Sequence, residues 1–156
     1  MKKIKYTAVV LFISYLTTDT IDAQKYFKVI DATSTSWSGG VAQSGTGITY
    51  NVKIVLLTKQ KVTFNEMWVG KGYGLTETRS ISYSDGRILT KGDTAIVTYT
   101  VHHYPVGSPM EKIPAPAYKD PPIPIEGEAL LGFTIGKSNR YRSVEKFTPL
   151  TTKKYM

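Results

Sequence analysis

The chain contains no cysteine, so no disulfide braces the fold, no lipidated cysteine anchors it, and no thiolate is available to a metal. Its two histidines are adjacent, at His102 and His103. A Ser-His-Asp triad would have to use one of them, and no nucleophile-elbow pattern accompanies either. A sustained helical period is missing after residue 23, and no apolar run approaches the roughly 20 residues of a membrane-spanning helix. Stability must therefore come from a packed core.

What is present begins with a leader. Lys2, Lys3 and Lys5 precede an almost wholly apolar run from Tyr6 to Leu16, followed by the more polar Thr17 to Ala23. A basic start, a short apolar stretch and a small residue at a plausible cleavage point define a signal peptide. Residues 1–23 are expected to be removed on export, leaving Gln24 first. The loss takes three Lys and two Asp from the 20 basic and 12 acidic residues, so residues 24–156 carry a net charge of +7. Their length suffices to bury about two thirds of the unfolded surface as one domain. The positive field favours anionic partners such as phosphate groups, acidic glycans or membrane headgroups, although scattered charge also serves solubility.

Period-two alternation points to strands. Tyr50, Val52, Ile54 and Leu56 alternate with Thr49, Asn51, Lys53 and Val55, and Ala95, Val97, Tyr99 and Val101 alternate with Thr94, Thr98 and Thr100. Ala129, Leu131, Phe133 and Ile135 repeat the pattern. Val62 to Val69, Leu75 to Tyr83, Phe27 to Ala32 and Arg140 to Phe147 are further candidates. The expected fold is all-β: a single antiparallel sandwich of about seven strands, immunoglobulin-like in architecture.

Short polar turns at Thr58 to Lys61, Ser84 to Gly86, Lys91 to Asp93 and Gly136 to Asn139 fit that arrangement. Two connections are longer. Ser34 to Gly47 is a Ser/Thr/Gly-rich loop around Trp37, and residues 105–124 hold seven of the eight prolines. The Pro-rich loop should run as extended chain over the surface or along an edge, as a recognition segment or as a shield for that edge.

Candidate chemistry is sparse. Neighbouring strand residues face opposite ways, with His103 in the core phase and His102 in the solvent phase, so the pair is not expected to hold a metal. Glu126 and Glu128 stand about 7 Å apart if the strand has begun, a spacing that glycosidase carboxylates also use. Glu66 falls on the face of Val62, Phe64 and Trp68. Either a bulge at Asn65-Glu66 turns Met67 and Val69 inward, or a carboxylate is partly buried; the bulge is the expectation. The glycines at 70, 72 and 74 are followed by strand rather than helix, which removes a phosphate-binding reading and leaves no cofactor implied.

Aromatics are abundant, with eleven Tyr, five Phe and two Trp. Trp37 is the leading binding candidate, joined by Tyr104 and Tyr118 beside the Pro-rich loop. Arg140, Arg142 and Lys146 form a stripe that could meet an anion, but without the interleaved aromatics of a nucleic-acid binder. The functional expectation is a non-catalytic binding module of the bacterial periplasm or cell surface, with a glycan or an envelope protein as partner. A hydrolase using Glu66, Glu126 and Glu128 is one alternative, and an envelope assembly protein working by β-augmentation is the other.

Overall fold

The computed structural model describes residues 24–40, 45–70, 72–80, 89–107 and 119–155. The leader, Tyr118 and most of the Pro-rich loop lie outside these residues. Nine strands and no helix occur within them: β1 (Phe27–Ser38), β2 (Thr46–Leu56), β3 (Val62–Val69), β4 (Gly72–Leu75), β5 (Glu77–Ser80), β6 (Thr94–His103), β7 (Ala129–Ile135), β8 (Ser138–Val144) and β9 (Thr148–Lys154). A five-stranded sheet has the order β5-β6-β2-β1-β9, and a four-stranded sheet the order β4-β3-β7-β8. Every pairing is antiparallel except that of β1 with β9.

The alternating residues fill one core between the sheets. Val52, Ile54, Leu56, Val97 and Tyr99 from the first sheet meet Phe64, Met67, Leu131 and Phe133 from the second. Phe27 links them, with ring centroids 5.1 Å from Phe64 and 5.0 Å from Phe133, both edge-to-face. Such pairs contribute about 0.5–1.5 kcal/mol each beyond the area they bury. The bulge expected in β3 is present: its pairing with β7 shifts between Phe64 and Glu66, and Met67 is fully buried.

The strand count exceeds seven because the chain twice changes sheets where a single strand was expected. At Thr76, whose N–H bonds Asn65 O at 3.0 Å, the chain leaves the second sheet as β4 and enters the first as β5. At residues 145–147 it leaves β8, inserts Phe147 into the core and continues as β9 along β1. β1 is longer than expected and runs on to Ser38, so Trp37 belongs to a strand rather than to a loop. Tight turns close on glycines at positive φ, among them Gly92 in the connection before β6 and Gly136 between β7 and β8.

Candidate functional site

The outward face of the first sheet is built from cross-strand rows. Thr35, Thr49 and Thr100 are register partners across β1, β2 and β6, with the last two hydroxyls 3.2 Å apart. In the next row Thr98 Oγ1 donates to Asn51 Oδ1 at 2.8 Å. The row toward the end of the sheet is Trp37, Gly47 and His102. Alternation places all three on the outward side, because Tyr50, Val52 and Ile54 point inward.

This end row forms a slot. The Trp37 indole crosses Gly47, where an added Cβ would lie 2.4 Å from its Cζ2 and 2.6 Å from its Cε2. Only glycine leaves room for the ring to lie against the β2 backbone. On one side stands His102, centroid 5.2 Å away and inclined 66°; on the other stands Tyr155, 6.5 Å away and also inclined 66°. Tyr104 stacks behind His102 at 5.7 Å and 12°. Tyr155 is held by its N–H bond to Ser38 O. His102 and Tyr155 are exposed, and Trp37 and Tyr104 are half-buried. A floor of indole with two upright rings offers broad apolar contact and few rotors to freeze.

His103 was expected in the core phase, but it is exposed, because β6 outruns the core at its end. Among the described residues, no group of three or more His, Cys, Asp or Glu is placed to hold a metal ion.

Glu66 sits on the outward face of the second sheet. Its Oε2 accepts from Tyr73 Oη at 2.9 Å and pairs with Lys119 Nζ at 3.1 Å. Gly132 on β7 makes room for it, since a Cβ there would lie 2.7 Å from Glu66 Cγ. Beside it Trp68 is 1% exposed and donates from Nε1 to Lys119 O at 2.7 Å, which lays the end of the Pro-rich segment over this face. Burial, and then the hydrogen bond to Glu66, raise the Tyr73 phenol above its ordinary pKa. The hydrogen bond to Glu66 is also the main cause of a raised Lys119 ammonium.

The Glu128 carboxylate has a separate structural partner: its Oε2 accepts the Phe147 N–H at 2.8 Å, while Glu126 is tied only through its backbone N–H, which donates to Ser143 Oγ at 3.3 Å. Glu128 lines an open groove between the sheets with Ser34, Tyr50 and Phe147. The Tyr50 phenol there is raised by burial and then by the Glu128 charge.

The basic stripe divides. Arg140 and Arg142 are register partners of Phe133 and Leu131 and so face the core side of the edge strand β8. Arg140 lies over the Tyr26 ring at 5.2 Å, while Arg142 lies over Phe27 at 5.1 Å and donates to Phe27 O. Burial lowers the Arg142 pKa. Lys146 is exposed beside a groove between β1 and β8.

Trp37 and Tyr104 are thus brought together, whereas Arg140, Arg142 and Lys146 lie elsewhere. Sequence reasoning missed Gly47, His102 as a wall, and Tyr155. The spacing of Gly47 opposite Trp37 was readable only once a β1–β2 hairpin was assumed. No family model, curated protein or solved structure matches the chain.

Proposed function

We propose that the chain is an exported, non-catalytic binding module of immunoglobulin-like architecture that holds a glycan in the Trp37 slot, in the bacterial periplasm or at the cell surface. The strand orders support the architecture: β1-β2-β6-β5 and β8-β7-β3-β4 follow the A-B-E-D and G-F-C-C′ sequence of immunoglobulin domains, with β9 added beside β1. The observation that carries the function is the indole laid across Gly47 between His102 and Tyr155. A sugar ring presents an apolar face of matching shape, and exposed rings on a rigid sheet are suited to stack on it.

The hydrolase reading draws less support, because Glu66 is engaged by Tyr73 and Lys119, and Glu128 by a backbone N–H on a different part of the surface. One observation favours the assembly reading. All seven residues of β9 are exposed, and the strand lies at the edge of its sheet, as β-augmentation requires.

The test is a glycan array probed with the purified protein and with Trp37→Ala. Binding to a subset of glycans, lost in a variant that keeps its β-sheet circular dichroism, is expected. Absence of glycan binding, or binding indifferent to Trp37→Ala, overturns the proposal.

A further inference from the structure

The charge around the slot goes further than its shape. Residues 32–51, which include the outer parts of β1 and β2, contain no Asp or Glu, and neither do residues 94–107 of β6 and its exit or residues 146–156. These segments supply every residue of the slot. The chain nevertheless has 12 acidic residues, so their exclusion from this end of the sheet is regional. In the ladder, the nearest is Glu77, the register partner of Thr98. Thr98 lies four residues along β6 from His102, roughly 13 Å of strand. Glu128 is in the groove between the sheets, on the opposite side of the first sheet.

A basic group is present in the same place. Lys153 is the register partner of Trp37 and Lys154 that of Ser38. Pairing with Trp37 puts Lys153, which is exposed, on the outward face next to the indole, whereas alternation turns Lys154 to the other face. Hydroxyls of the Thr35 and Thr49 row lie alongside.

We infer that the slot takes an acidic saccharide, with one sugar ring on Trp37 between His102 and Tyr155 and its carboxylate or sulfate group facing Lys153. This rests on the glycan-binding reading and adds the sign of the ligand's charge. The rings provide contact area that any pyranose satisfies, and Lys153 selects anionic ones. An acid near the slot would repel the same ligand, and among the described residues the segments that form the slot carry none.

The experiment measures Trp fluorescence titrations of the full protein with three probes: a uronic-acid oligosaccharide, its carboxyl-reduced neutral counterpart and a sulfated oligosaccharide of the same length. The uronic acid or the sulfated sugar is expected to bind roughly threefold to fivefold tighter than the neutral one, the scale for one exposed charge pair. That preference should vanish at high salt and in Lys153→Gln, and should persist in Lys154→Gln, whose side chain points to the other face. Which acidic probe binds identifies the group recognised. If neutral and acidic sugars bind equally, the inference about charge fails and the glycan reading stands. If none binds, both fail. Single-stranded DNA binding more tightly than every sugar would overturn the inference in favour of a phosphate-backbone ligand.

Discussion

The Trp37 indole occupies the space that a side chain at Gly47 would need, so these two register partners on β1 and β2 specify each other. Gly47→Ala should move the indole off the backbone and push its own Cβ, 2.3 Å from Val101 O, against β6. A stability loss of about 1–3 kcal/mol in urea unfolding is expected for such overpacking, with a change in Trp emission in the folded state. Unchanged emission and stability would show that Trp37 does not lie across Gly47.

Phe133 is 1% exposed and contacts the rings of Tyr26, Phe27 and Phe64, which come from both sides of the core. Phe133→Ala should cost about 3–5 kcal/mol in chemical denaturation. A loss below about 1 kcal/mol would mean that the sheets do not share this core.

Tyr50, Tyr73 and Tyr99 all have raised pKa values, with burial the largest cause in each. A raised phenol favours the neutral form in the fold. Its contribution to stability is complete below the unfolded pKa of about 10 and is lost as the pH rises through the higher folded value. Alkaline unfolding beginning above pH ~10 is therefore expected. In Tyr50→Phe, Tyr99→Phe the stability should fall less steeply over that range, as measured by denaturation at a series of pH values.

Trp68 ties the Pro-rich segment to the second sheet through Lys119 O, and Glu66 ties it through Lys119 Nζ. Trp68→Phe removes the buried donor and should cost about 1–2 kcal/mol. It should also speed proteolysis within residues 105–124 more than Glu66→Gln does, because the Lys119 ion pair is solvent-screened. Equal cleavage rates in the parent and both variants would show that these contacts do not hold the segment.

The leader is tested by intact-mass measurement on protein recovered from the cell envelope. A mass corresponding to residues 24–156 is expected, and retention of residues 1–23 would remove the export proposal.

The alternation of Val52, Ile54, Leu56, Val97, Leu131 and Phe133 made the core legible in the sequence, because a half-buried strand writes its inward face at every second position. The β3 bulge was legible for the same reason: without it Glu66 would share the core face of Phe64. The outward burial of Trp68 was not, since it depends on a segment some fifty residues later folding back over it. β9 escaped notice because Pro149 and its polar, fully exposed residues follow no alternation; only its parallel backbone ladder with β1 makes it a strand. Trp37 lies in β1 where a loop was expected, because Ser, Thr and Gly around it suit a turn as well as an edge-of-sheet row.

The parallel pairing of β1 with β9 gives the slot a history as well as a shape. Trp37 and Tyr155 come from opposite ends of the described chain, with seven strands between the two that the ladder joins. Contacts of such long sequence separation form late and slowly, since the chain entropy of closure must be overcome before they contribute. The wall provided by Tyr155 therefore depends on the β1–β9 ladder: a chain in which that ladder has not closed displays the indole without the complete slot. A ligand held as proposed, across β1, β6 and the β9 terminus at once, would resist the fraying of the sheet's outermost strand.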